Sequence, residues 1–280
     1  ARRAVDAITL GNGLSIVNAN SGGGNLVAGG TITVTAGGAL AAGGDLTLNV
    51  LNNGGGHIGT GGNIFVTTGG DLTAGTISAL VNNRDGGTID IGGDLTFNIG
   101  GALNATGDAV FVTSNRNDGL GGGMIGSAVF LNLTAASIST GGLLNTAISA
   151  NAGGVIPSAF LNLTAGNVVA TGGIVSLIQC TGFNMVGGPF IQGGTINGDA
   201  LLNLNLGDFT SGDLFENEIV RNGSGIIIGN ALLNLVNPGN PTGHTEIFTE
   251  LLNSPAPGCT PPLPGGTAGA PVTFPSAAAS

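Results

Sequence analysis

Seven short segments with alternating apolar and polar positions recur along the chain, at 32–36, 64–68, 95–99, 129–133, 159–163, 200–204 and 231–235. Their last residues lie 32, 31, 34, 30, 41 and 31 positions apart. Alternation with a period of two is the pattern of a strand with one buried face, and a steady interval of about 31 residues marks stacked repeats. Together they predict an all-β chain, a parallel β-helix (β-solenoid) of about seven or eight coils, hence a rod roughly 35 to 45 Å long at about 4.8 Å per coil.

Because side chains alternate across a strand, the faces can be read from the segments. One face carries Ile32, Val34 and Ala36, then Ile64, Val66 and Thr68, then Leu95, Phe97 and Ile99, continuing to Ala231, Leu233 and Leu235, and is expected to point inward. The opposite face carries Thr35, Thr67, Asn98, Asn132, Asn162, Asn203 and Asn234. Like polar residues in successive coils bond along the axis, so the five asparagines read as a structural ladder. A second outward set holds Thr33, Phe65, Thr96, Phe130, Phe160, Leu201 and Leu232. Its apolar members Phe65, Phe130, Phe160, Leu201 and Leu232 form a candidate interface stripe, expected to be covered by the chain's own tail or by a second subunit.

Each repeat follows its alternating segment with a short Gly-bounded strand, a second alternating segment and an Asn-and-Gly turn leading to Gly-Gly-x-Ile, in which Ile58, Ile125, Ile156, Ile196 and Ile227 match Ile89. Three or four short strands per coil suit a β-helix. Residues 1–29 read as an irregular first coil, and the interval of 41 places an insertion loop at about 180–192. The solenoid is expected to end at Asn237, leaving 238–280 as a Pro-rich C-terminal tail that caps the rod or joins subunits, since nine of the eleven prolines fall there. Within it, 244–252 reads as a last strand or a short capping helix, and 255–275 as extended chain. The start of the chain, Ala1-Arg2-Arg3-Ala4, reads as that of a mature or excised chain.

Composition supports an extended rod over a globule, with 56 glycines, 7% charged residues and 41% apolar ones. Alternating apolar residues in that number bury a long core, which argues against disorder. The net charge of −10 and the five Lys and Arg exclude a nucleic-acid partner and disfavour anionic membrane surfaces. No run of 18 apolar residues is present, so no membrane-inserting helix is expected. Two cysteines, Cys180 and Cys259, admit one disulfide.

Candidate chemistry is sparse. Asp45, Asp71, Asp94, Asp108, Asp199, Asp208 and Asp213 mostly open strands in Gly-Asp pairs, where aspartate serves as a turn residue. Glu216 and Glu218 are the closest glutamate pair, but no His or Arg motif accompanies them and Trp and Tyr are absent, so the chain is not expected to be an enzyme. His57 occupies a position filled by Thr88, Met124, Val155 and Thr195 in other repeats, His244 has no partner cluster, and no zinc spacing occurs. The Gly-rich stretches lack the alternate aspartates of calcium-binding β-rolls and the Gly-Lys-Ser/Thr of a nucleotide loop, so no cofactor is expected beyond incidental calcium. Triplets of the N-glycosylation type at Asn104, Asn132, Asn162 and Asn222 follow from the Asn- and Thr-rich composition.

The sequences Gly-Gly-Asp-Leu-Thr-Leu-Asn (43–49) and Gly-Gly-Asp-Leu-Thr-Phe-Asn (92–98), with Leu-Asn-Leu-Thr-Ala at 131–135 and 161–165, resemble the Gly-, Asn- and Thr-rich repeats of large bacterial surface exoproteins. That group includes filamentous-haemagglutinin-like adhesins and autotransporter passengers, and the similarity spans about residues 30–236. The resemblance implies a right-handed parallel β-helix at the bacterial cell surface or outside the cell, with an adhesive or matrix role. The expected function is therefore structural: a subunit or segment of an extracellular fibre or surface layer that self-associates through solenoid ends and the apolar stripe. The alternative is an adhesin passenger presenting 183–190 to a surface glycan or protein receptor, and a polysaccharide-active β-helix enzyme stands third.

Overall fold

Each strand lies parallel to the one in the next coil, most often 31 or 32 residues further on, and this single relation generates the whole architecture. The computed structural model describes residues 7–116, 123–181, 193–212, 214–222, 225–236, 241–243 and 246–253. Among these there is no helix, and no described helix is long and apolar enough to cross a membrane. The strands form three parallel sheets of twelve, eight and seven strands, one along each side of a β-solenoid. A coil runs through the first sheet, crosses to the second, turns through Asn and Gly into the third, and returns one level higher.

The second sheet shows how the sequence dictates this path. Leu14–Asn20, Leu46–Asn52, Ile77–Arg84 and Ala109–Arg116 stack in register, with strict in-and-out burial in Leu46–Asn52 and Ile77–Arg84. Their inward residues Leu46, Leu48 and Val50 meet Ile77, Ala79 and Val81 in the core. Fully burying one such Leu or Ile is worth about 1.5–3 kcal/mol, so the alternation itself pins the register. In the third sheet Ile58, Ile89, Ile125, Ile156 and Ile196 are all buried in one column. Gly-Gly-x-Ile therefore marks this strand, as its recurrence predicts. Phe97 and Phe111 close the middle of the core edge to face, their ring centroids 4.8 Å apart.

The first sheet changes form along the rod. In the early coils it consists of pairs of short strands, such as Ile64–Thr68 and Leu72–Ala74, separated by a Gly-Gly corner. From Val129 onward each pair fuses into one twelve-residue strand, Val129–Thr140, Ala159–Ala170 and Ala200–Ser211. The Gly-Gly corner is replaced there by Ala135-Ala136-Ser137 and its equivalents, and two successive poorly buried residues, Ala136 and Ser137, shift the alternation by one place. The fused strand is one residue shorter here than the coil below, since Asn98 pairs with Thr134 and Ala102 with Ser137.

Three expectations are corrected. The first coil is regular: Ile8–Leu10, Leu14–Asn20 and Asn25–Gly29 pair in register with the coil above. The solenoid does not stop at Asn237, because Pro241–Gly243 pairs with the first sheet at Phe209 and Glu246–Asn253 pairs with the second sheet at Leu214. Pro241 is tolerated in a strand that pairs on one side only. The third concerns register: the first sheet pairs Leu95 with Leu131, so the segment beginning at Val129 is displaced by two residues from its expected place. Extra residues at the turn between Arg116 and Met124 and an early strand start at Val129 produce that shift.

Candidate functional site

The two-residue shift redistributes the outward side chains of the first sheet. Asn132 stands over Thr96, and Asn98 lies under Thr134, so Asn98 is outside the asparagine column. The column that does form runs Asn132, Asn162, Asn203, Asn234. Asn162 Nδ2 donates to Asn132 Oδ1 and Asn203 Nδ2 to Asn162 Oδ1, both at 2.8 Å. Phe65 leaves the stripe for the same reason, since it shares its column with Thr33 and Thr96.

A second ladder lies inside the rod. Asn20, Asn52, Asn83 and Asn115 stand last or next to last in successive second-sheet strands with their side chains inward. Each amide donates to the next: Asn20 to Asn52 at 2.9 Å, Asn52 to Asn83 at 2.7 Å and Asn83 to Asn115 at 2.9 Å. Each also caps the carbonyl of the glycine at the following turn, Gly24, Gly56, Gly87 and Gly123. A buried amide is tolerated only when its hydrogen bonds are made, and this column makes them coil by coil. It ends where Ala150 and then Cys180 take the position. The sequence reading assigned these asparagines to turns. The signal present was an Asn on the inward parity of the strand, four residues before a Gly in all four coils.

The aspartates act at corners. Oδ1 of Asp45, Asp71, Asp108 and Asp199 accepts the backbone N–H of Thr76, Ala102, Leu143 and Asn230, each one coil further on, at 2.8–2.9 Å. Asp94 does the same for Phe130 at 3.0 Å, but its burial pushes the carboxyl above its usual range, and the Phe130 N–H offsets this only in part. The folded state thus holds the Asp94 proton more tightly than the unfolded chain does. Its stabilising contribution is complete below the ordinary carboxylate value and is lost as pH rises through the raised one. Asp94→Asn keeps the acceptor and removes the charge, so the variant is expected to be the more stable protein at pH 7, with the difference closing in acid. Denaturation midpoints of both proteins between pH 3 and 7 check this, and a difference that does not depend on pH would rule it out.

Other candidate residues are dispersed. His57 Nδ1 meets Asn25 Oδ1 and its Nε2 meets Asp90 Oδ2, both at 2.9 Å, on the outer face of the third sheet. Among the described residues no group of three or more His, Cys, Asp or Glu is placed to hold a metal. Glu216 and Glu218 point outward from the second sheet, with Glu218 in register with Glu250. Cys180 is fully buried in the core, whereas Cys259, His244, Asp213 and 183–190 lie outside the described residues.

The surface feature that remains is apolar. Phe130, Phe160, Leu201 and Leu232 stack in one column at the start of the first-sheet strands, with the Phe130 and Phe160 rings parallel at 5.0 Å. Met124 and Ile226 open the short third-sheet strands that lead to the same corner, Ile228 follows one of them, and Ile91 lies in the third-sheet strand Thr88–Gly92 one coil below Met124. These form a ridge parallel to the rod axis in which Ile91, Met124, Phe130, Ile226, Ile228 and Leu232 are 38% to 64% exposed. Among the residues whose side-chain burial is described, two other large apolar ones, Val17 and Val27, are so exposed. An aligned apolar ridge marks a contact surface more strongly than scattered residues do.

Compared with protein-family models, curated proteins and solved structures, the chain matches none, so its geometry alone carries the functional reading.

Proposed function

We propose that this chain is a structural rod, a non-catalytic subunit or segment of an extracellular bacterial fibre or surface layer that associates with its own kind. The observation that carries the reading is the apolar ridge running along a solenoid whose first coil also leaves one edge of each sheet unpaired among the described residues. Open parallel edges accept further strands, and a ridge of this kind accepts a neighbour side by side. Coils tied by backbone bonds, amide ladders and corner aspartates suit mechanical and proteolytic resistance. Negative-stain electron microscopy of the full chain over a dilution series tests this. Filaments whose length grows with concentration support it; isolated short rods at every concentration refute it.

An adhesin remains the second reading, because the additions at 117–122 and 182–192 both fall in the chain between a second-sheet and a third-sheet strand. Solenoids gather binding loops on one side in this manner. Binding to a surface glycan or protein that is lost on deleting 182–192 supports that role over the structural one.

A further inference from the structure

We propose that residues 254–280 of the same chain lie along the apolar ridge and cover it. Three observations lead there. The first is where the segment starts. It leaves Asn253 at the end of a second-sheet strand, the point from which every earlier coil crosses into the third sheet. The last third-sheet strand, Ile226–Ile227, pairs on one side only, so the path beside Ile226 and Ile228 is the next one open to the chain.

The second is reach. A Pro-rich chain extends about 3.1 Å per residue, so residues 254–280 span roughly 80 Å. The ridge from Ile91 to Leu232 rises through about four coil spacings, roughly 20 Å. The segment can cross the third sheet and run the ridge's whole length.

The third is chemistry. Residues 254–280 contain no charged side chain at all, in a protein of net charge −10, and carry Leu263, Val272 and Phe274 among seven prolines. Prolines fix the extended form beforehand and lower the entropy lost on docking, as in the recognition of Pro-rich segments by aromatic-lined surfaces. Phe130 and Phe160, stacked and partly open, present such a surface. Attachment to the rod raises the local concentration of the segment to about the millimolar range, which favours its own ridge over that of a neighbour.

On the fibre reading given above, on which this consequence alone rests, the segment regulates side-by-side association: rods bundle only when it is displaced. Docking itself is tested on full-length protein without reference to filaments. Phe274 is replaced by photoreactive p-benzoylphenylalanine, and a mixture of light- and heavy-isotope chains is irradiated. Cross-links to Phe130, Met124 or Leu232 within one isotope form are expected. Mixed-isotope links would assign the ridge to a second copy's tail, and links elsewhere would remove the ridge as the site; either overturns the proposal.

Met124 supplies an independent readout. A segment seated nine-tenths of the time slows its oxidation by peroxide about tenfold relative to a chain carrying Leu263→Ser, Val272→Ser and Phe274→Ser. Equal rates in the two proteins would also overturn the proposal. Docking without filaments would defeat the fibre reading and leave this one standing.

Discussion

Replacing Asn83 by leucine is expected to cost about 3–5 kcal/mol of unfolding free energy, although leucine matches asparagine closely in size and raises the apolar content of the core. Asn83 is fully buried. Its Oδ1 accepts from Asn52 at 2.7 Å, and its Nδ2 lies 2.9 Å from Gly87 O, 2.9 Å from Asn115 Oδ1 and 3.0 Å from Met124 O. Leucine leaves the Asn115 oxygen and the turn carbonyls without that donor, where water does not enter. Each orphaned buried group costs about 1–3 kcal/mol, so two or three of them outweigh the gain from added apolar volume. Asn162→Leu is the matched comparison. Its ladder lies on the outer face, where solvent can replace the lost partners, and a loss under about 1 kcal/mol is expected.

Asn83→Asp sharpens the test because it keeps the shape and the acceptor while placing an oxygen against Asn115 Oδ1. Burial raises the folded-state value of such a carboxyl, so its contribution is most favourable below the ordinary carboxylate value and is lost as pH rises. The aspartate variant is expected to be the least stable of the three at pH 7 and to recover in part near pH 4. Chemical denaturation followed by far-ultraviolet circular dichroism reads all three. An Asn83→Leu protein within about 1 kcal/mol of the parent would show that the inner ladder contributes no more than the outer one.

The same asparagines mark the limit of what the sequence discloses. Leu46, Leu48 and Val50 announce a strand by alternation, and the Gly-Gly-x-Ile recurrence assigns Ile58, Ile89 and Ile125 to one buried column, because both signals are local and strongly biased toward apolar residues. Asn52 and Asn83 stand at strand ends beside glycines, where a turn and an inward ladder call for the same residue type. Only their parity with Val50 and Val81 separates the two. Register between coils is harder still. The interval from Ile99 to Leu133 is close to the average, yet Leu95 faces Leu131, because residues added at one corner are partly offset at another before the next strand begins. Interval alone fixes the number of repeats well and the partner of a given residue poorly. The asparagine column and the apolar ridge depend on that partner, so both came into view only with the strand pairing.

Gly92→Ala is expected to be among the most damaging single-methyl additions, at about 3–5 kcal/mol, since two penalties combine. Gly29, Gly61 and Gly92 stack in one column of the third sheet with φ of 139°, 129° and 139°. An L side chain at such a φ costs about 1–3 kcal/mol on backbone grounds alone. At Gly92 the added Cβ would also collide with the carbonyl oxygen of Gly61 in the coil below and come within 2.8 Å of its carbonyl carbon. That neighbour is backbone and cannot rotate away. Relief requires the two coils to separate, against the hydrogen bonds between them from Thr88 N–H to Gly56 O at 2.9 Å and from Gly93 N–H to Gly61 O at 3.4 Å. Gly29 provides the control, because it has the same φ but nothing within 4 Å of its Cβ position. Gly29→Ala should therefore show the conformational cost without the collision. A coil in a solenoid is held only by its neighbours, so damage at Gly92 loosens the interface between two coils and exposes adjacent backbone amides to exchange. Hydrogen exchange should quicken on both sides of Gly92 and leave the column from Ile156 to Ile196 unchanged. Equal losses for Gly29→Ala and Gly92→Ala would mean that the stacked coils yield to the extra methyl, and that close backbone contact does not set the requirement for glycine.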